Sequence, residues 1–241
     1  MGFAAAHTTT LRLIPNVVVL PYRNPFVVAK AGATLDVLSG GRFTLAVGLG
    51  YLKREFAALG VNYDDRAALF DEALATIRRI WTTDEVSVDG RTFTARGITA
   101  HPRSLGRPHP PIWISGNTAA ARRRVARHGD GWCPFMAPAA LAQTARTAAM
   151  EDTESLAAGI DDLRRRCDAE DRDFTAIDIA FADDTGGVPG MPGFNADQYL
   201  TGLEQLEKQG VTWVQVPLPR DSLAQTIEPI ESFGSEVIAA R

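Results

Sequence analysis

Two short stretches carry residue types and spacings suited to holding a ligand. The first is Phe43-Thr44-Leu45-Ala46-Val47-Gly48-Leu49-Gly50-Tyr51. Its mostly apolar run, Phe43 to Val47, predicts a strand buried on both faces. Gly48 and Gly50 then strip side chains from the strand's carboxyl end, which lets a ligand approach the backbone. Tyr51 and Arg54, beside this glycine mouth, are candidate polar contacts to a substrate. The second stretch is Ile112-Trp113-Ile114 running into Ser115-Gly116-Asn117, with a helix expected from Thr118 to His128. Small residues at a helix N-terminus present free N–H groups to an anion, typically a phosphate. The same three residues also suit a plain helix cap.

Other chemistries lack their residues. Gly48-Leu49-Gly50 has Lys53 where the dinucleotide fingerprint wants a third glycine. There is no Walker loop, His-Glu-x-x-His or Gly-x-Ser-x-Gly. The four histidines have no metal-ligand spacing. His128 reads as a favourable partner for a helix C-terminus. Arg122, Arg123, Arg124 and Arg127 read as a solvated face or as phosphate contacts. Trp113 and Trp132 read as packing groups, and Cys133 as a small core residue. Gly186 to Gly190 is either a lid or a disordered stretch. Cys133 and Cys167 are the only cysteines, too few and too far apart for a zinc knuckle or a disulfide framework.

The elements that position these residues alternate. Strands are expected at Leu11–Leu20, from Phe43, at Ile112–Ile114, at Trp132–Cys133, at Ile177–Ala182 and at Val211–Val216. Between them fall helices. One is capped by Asn24 with Pro25 in its first turn and a buried stripe of Val28, Ala31, Leu35 and Leu38. Others run from Asp64 to Trp81, from Thr118 to His128, from Thr153 to Asp168 with Asp161/Arg165 and Asp162/Arg166 pairs, from Asn195 to Gly210, and from Ser222, kinked at Pro229. Glu85 to Thr94 reads as an inserted hairpin turned on Asp89-Gly90. Such β,α alternation implies parallel strands with right-handed crossovers, and ligands bind at the carboxyl ends of such strands. No linker divides the chain, so residues 1–241 read as one domain.

Composition sets outer bounds. With 45% hydrophobic and 22% charged residues, the chain can build a substantial core. A net charge of −4 gives no nucleic-acid footprint. No apolar stretch approaches the roughly 18 residues that span a membrane, and the N-terminus lacks a signal-peptide pattern. The expectation is a reduced, cytoplasmic protein.

The combination of short motifs resembles the luciferase-like monooxygenase family. It comprises Leu20-Pro21-Tyr22-Arg23-Asn24-Pro25, Ala33-Thr34-Leu35-Asp36 with Leu38-Ser39 and Gly41-Arg42, Gly48 with Gly50, and Glu55-Phe56 with Leu59-Gly60. Pro111-Ile112-Trp113-Ile114 with Gly116, and Asp130-Gly131-Trp132, continue it in order. The detail is most similar to the branch that uses the deazaflavin coenzyme F420. The resemblance implies an α/β fold of the (β/α)8 barrel type. This chain is expected to show six parallel strands and six main helices of it, without the first two βα units. It implies a deazaflavin or flavin across the carboxyl mouth and hydride transfer with a small organic substrate. FMN with oxygen is the alternative, and a non-catalytic remnant or partner subunit is another.

Residue by residue, the resemblance implies a non-prolyl cis peptide behind the ring at Asn16-Val17. Gly48 and Gly50 would flank the ring, and Ser115, Gly116 and Asn117 would hold the phosphate-bearing tail. The family's proton donor lies on the units expected to be missing, so no catalytic residue is assigned. The resemblance also implies a homodimer. A sugar-phosphate barrel enzyme is a further reading, one that binds phosphate without a ring.

Overall fold

A computed structural model describes residues 1–182, 185–219 and 222–240. Helix α1 (Gly2–His7) leads to β1 (Val18–Val19), α2 (Pro25–Ser39) and β2 (Leu45–Gly48). Next come α3 (Lys53–Ala58), a 3-10 turn (Tyr63–Asp65), α4 (Arg66–Thr82), β3 (Val86–Asp89) and β4 (Thr94–Ile98). Then follow β5 (Ile112–Ser115), α5 (Ala119–His128), β6 (Gly131–Cys133), α6 (Ala139–Ala145) and α7 (Thr153–Ala169). The chain closes with β7 (Asp178–Phe181), α8 (Ala196–Gln209), β8 (Trp213–Val214) and α9 (Leu223–Phe233). Six strands form one parallel sheet in the order β1-β2-β5-β6-β7-β8. This is the α/β, parallel, six-strand arrangement that the alternation implies.

Each central strand alternates between two buried faces. Leu45 and Val47, Ile112 and Ile114, and Ile179 and Phe181 pack outward against the helices. Ala46, Trp113, Cys133 and Ala180 form a separate inner cluster with Ile14, Val17 and Trp213. The inner face is built from small residues around two indoles, Trp113 and Trp213, which meet edge-on at 5.4 Å. Gly131 makes room for one of them, since a Cβ there would lie 2.3 Å from the Trp113 ring. The outer strands β1 and β8 are linked by side chains, with Asn16 Nδ2 donating to Gln215 Oε1 at 3.1 Å.

Several expectations need correction. The first strand is two residues long, preceded by an isolated bridge from Leu13 to Phe43; Pro15 between them has no N–H to give a ladder. The last strand is also shortened, to Trp213–Val214. The buried stripe of α2 is Ala29, Gly32, Ala33, Asp36 and Ser39, whereas Leu38 is 67% exposed. Close packing decides this: a Cβ on Gly32 would sit 3.0 Å from Trp81 and 3.1 Å from Phe43, so α2 turns its smallest residues inward. The inserted hairpin exists, but Asp89 pairs with Thr94, and Gly90 N donates to Phe93 O. Its connection is therefore four residues, 90–93, rather than a two-residue turn. Arg165 approaches Asp162 at 3.7 Å rather than pairing with Asp161, while the Asp162/Arg166 pair forms at 2.8 Å. Outside these corrections, the loop that holds Gly186 to Gly190 is closed at its base by Asn195 N donating to Gly186 O.

No helix among the described residues is long and apolar enough to cross a membrane.

Candidate active site

The chemistry-bearing stretches converge on a cavity of about 260 Å³ at the carboxyl ends of β1, β2 and β5. Val17 just before β1 and Val19 at its end, Gly48 at the end of β2 with Leu49 and Gly50 after it, and Ser115 at the end of β5 with Gly116 after it line its inner part. The cavity then runs outward between the starts of α4 and α5. Tyr63, Arg66 and Phe70 form one wall, Thr118, Ala121 and Arg124 the other, and Arg146 with Thr147 at the end of α6 the cover.

The two glycines of the mouth are required by their neighbours. A Cβ on Gly48 would lie 2.7 Å from Val17 Cγ2, and one on Gly50 would lie 2.6 Å from Val19 Cγ1 and 3.0 Å from Phe56. Gly50 also has φ of 77°, a left-handed conformation that favours glycine. The space freed by the missing side chains is thus filled by the two valines, whose methyl groups become the cavity's apolar wall. The Asn16–Val17 peptide bond immediately before is cis.

The turn after β5 behaves differently from a simple anion cradle. Gly116 N is bonded to Cys133 O at 3.2 Å and Asn117 N to Thr147 Oγ1 at 3.2 Å. Ala121 N is capped by Thr118 Oγ1. The Asn117 side chain is buried behind the cavity, donating to Phe135 O and Ala148 O and accepting from Phe135 N. It ties the loop after β6 to the start of α5. Ser115 and Gly116 face the cavity; Asn117 supports it from behind.

Of the polar candidates, Tyr51 lines the mouth and is 41% exposed. Arg54 lies exposed on α3, outside the cavity lining, and Asn16 faces Gln215 at the seam. The arginines of α5 are mostly committed to carboxylates. Arg122 bonds Asp162 at 2.6 Å, Arg124 grips Asp71 through two bonds, and Arg127 meets Glu170 at 2.6 Å. Burial works against the charge on Asp162, but hydrogen bonds from Arg166 and Arg122 outweigh it and hold its carboxyl below the usual range. His128 occupies the last turn of α5, yet burial, followed by the charge of Arg78, lowers its pKa. Its Nδ1 accepts from Arg78 at 3.1 Å, because a guanidinium can only donate. It is therefore a neutral acceptor rather than a partner for the helix dipole.

Three features escape the sequence reading. Glu55 is the one carboxylate on the described cavity wall, and Tyr22 Oη donates to its Oε2 at 3.0 Å. Burial, then this bond, raises the Tyr22 pKa. Both residues belong to the motifs above, although no role attaches to either there. Second, Tyr63 is buried, and three cations face its ring. Arg66 Cζ stands 3.9 Å from the ring centre, Arg146 Cζ 5.1 Å and Lys53 Nζ 5.3 Å. No spacing in the sequence links positions 53, 66 and 146. Third, Cys133 faces the inner cluster, where burial, and then the charge of Asp178, push its thiol up to about 12. It is an inert packing group. No group of three or more His, Cys, Asp or Glu suited to a metal exists among the described residues.

The chain has relatives among known proteins and solved structures. Over 128 residues it is 34% identical to an FMNH2-dependent dimethylsulfone monooxygenase of Pseudomonas putida, covering 52% of this chain and 35% of that protein. Over 138 residues it is 38% identical to an F420-dependent glucose-6-phosphate dehydrogenase of Beutenbergia cavernae, covering 55% and 40%. The chain thus spans well under half the length of these relatives. A monooxygenase structure from Streptomyces bottropensis superposes with a TM-score of 0.81 at 20% identity, covering 99% of this chain and 81% of that one. An F420-dependent secondary alcohol dehydrogenase superposes at 0.75 and 18% identity, covering 100% and 83%. Residues 1–182 match the luciferase-like monooxygenase family as a whole, and the chain belongs to that family.

Proposed function

We propose that residues 1–241 act as one luciferase-like domain whose cavity binds coenzyme F420 for oxidation or reduction of a small organic substrate. When bound, the deazaflavin ring would supply the hydride chemistry. The observation that carries this reading is the cavity's polarity: an apolar wall of Val17, Val19 and Leu49 at the mouth and a cationic end around Tyr63. Those residues fit a planar ring bearing an anionic tail. Val17, Val19, Gly48 and Gly50 would seat the ring, and Ser115 and Gly116 would border the tail, with Asn117 holding that border in place. Tyr51 and the Tyr22–Glu55 pair stand where a substrate would enter. The Tyr22 hydroxyl keeps its proton to high pH, so at neutral pH it donates to Glu55 and holds that carboxylate at the mouth.

FMN is the second reading, favoured by the 34% identity to an FMNH2-dependent enzyme. The homodimer implied by the resemblance remains part of the proposal. The test is fluorescence titration of the purified chain with F420 and with FMN. Binding of F420 at least tenfold tighter than FMN supports the first reading, and the reverse supports the second. Binding of neither overturns both and leaves a non-catalytic partner subunit.

A further inference from the structure

One carboxylate, Glu55, stands on a cavity wall whose other charged residues are arginines. Among the described residues it has no cation within ion-pair distance. Its partner is neutral: the Tyr22 hydroxyl donates to Oε2 at 3.0 Å. Tyr22 is not itself part of the cavity lining. It reaches the carboxylate from the side, braced edge-on at 5.0 Å against the buried ring of Phe56. Arg23 lies over the tyrosine rather than the carboxylate, 6.0 Å from the Tyr22 ring centre. A carboxylate has about four acceptor sites, and Tyr22 takes one, on Oε2. Glu55 lies in the first turn of α3, where the helix dipole favours an acid. That accounts for the acid but not for the tyrosine, which fixes the rotamer of an exposed side chain at an entropic cost.

We infer that Glu55 determines substrate specificity and that the mouth takes an organic cation, a small molecule bearing a protonated amine. An ammonium group gives the carboxylate both a counter-charge and N–H donors. Its carbon frame would lie on the apolar wall of Val19, Leu49 and Leu52, with the ring of Tyr51 beside it. A neutral alcohol supplies a donor without the charge, and a carboxylate substrate is repelled. Tyr22 is a positioning residue: it acts through Glu55 and touches no substrate. The inference rests on the proposed function in taking the mouth as the substrate's side of the cavity.

The test uses the full chain and two probes of one shape, benzylamine and benzyl alcohol, titrated at pH 7 and followed by ligand-observed NMR. Benzylamine is expected to bind about threefold tighter or more, the size of one partly exposed ion pair. Glu55→Gln keeps an acceptor for Tyr22 but loses the charge, and it should abolish the preference while leaving benzyl alcohol binding as it was. Tyr22→Phe keeps the ring on Phe56 and should reduce the preference without changing benzyl alcohol affinity, which a purely structural role would also change. Asp64→Asn, an exposed acid outside the cavity lining, should alter neither probe. No binding of benzylamine, no preference in wild type, a preference that survives Glu55→Gln, or one that is lost in Asp64→Asn overturns the inference. The titration is then repeated on the chain saturated with whichever of F420 and FMN binds. Benzylamine should still bind; mutual exclusion would place Glu55 against the cofactor and overturn the substrate assignment. Failure of both cofactors to bind, alongside an intact preference that depends on Glu55, would remove the cofactor reading and keep the cation subsite.

Discussion

Replacing Gly48 with alanine probes how the cavity wall is made. The added Cβ would lie 2.7 Å from Val17 Cγ2, whereas carbon atoms pack comfortably at about 3.5–4.0 Å. One of the two must therefore yield by about 1 Å. Val17 is β-branched, with few rotamers to choose from, and it packs against the inner cluster of Ala46, Trp113 and Trp213. Gly48 itself is fixed by the ladder to Val19. Overpacking of this kind costs about 1–3 kcal/mol, which for a chain of this size lowers the thermal midpoint by about 2–12 °C. Adding Val17→Ala removes the clashing methyl. The double variant should then be more stable than the sum of the two single changes by about 1–2 kcal/mol. The assay is a double-mutant cycle by urea unfolding with circular dichroism, alongside calorimetric midpoints. An unchanged midpoint for Gly48→Ala, or strict additivity in the cycle, would show that the glycine does not exist to seat the valine.

Two further changes test the frame around the site. Asn117→Ala removes two donors and one acceptor from backbone groups at Phe135 and Ala148. It should cost about 2–4 kcal/mol of stability, measured by urea unfolding; a loss within error would mean that water replaces all three bonds. His128 has a folded pKa below its ordinary value. The unfolded chain therefore takes up a proton first, and the stability this group contributes is present above about pH 6.5 and lost as pH falls toward the folded value. Wild type should lose stability from about pH 7 to pH 5 more steeply than His128→Gln, and parallel profiles in chemical denaturation would refute the shift.

Local signals in the sequence are those the structure reproduces most closely. Asn24 and Asn195 cap their helices as the sequence reading expects, and Thr118 and Ser222, read there only as helix starts, cap theirs in the same way, each through a side-chain oxygen that accepts an amide two or three residues on. The apolar runs at Leu45–Gly48 and Ile112–Ser115 are legible because both of their faces are covered. Short helices such as Lys53–Ala58 and Ala139–Ala145 have too few turns to show a period, and both are absent from the sequence reading. The stripe of α2 misleads because apolar size normally marks the buried face, and here the neighbouring Trp81 and Phe43 leave room only for small residues. The candidate site divides the same way. Its inner half lies on contiguous motifs. Its outer half joins residues about 80 to 90 positions apart in the chain (Lys53 and Arg66 with Arg146), and only the folded path of α6 over the cavity brings them together.

The outermost strands of the sheet, Val18–Val19 and Trp213–Val214, have a consequence for association. An exposed strand edge is a template for adding a strand from another chain, with amyloid-like stacking as its worst outcome. An edge two residues long offers an incoming segment very few amide bonds, too few to offset the entropy of ordering it. Here brevity blunts both ends, and the segments that flank them already meet each other through the Asn16–Gln215 hydrogen bond. Mutations that lengthen either edge strand, rather than those that weaken the core, are where templated aggregation would begin.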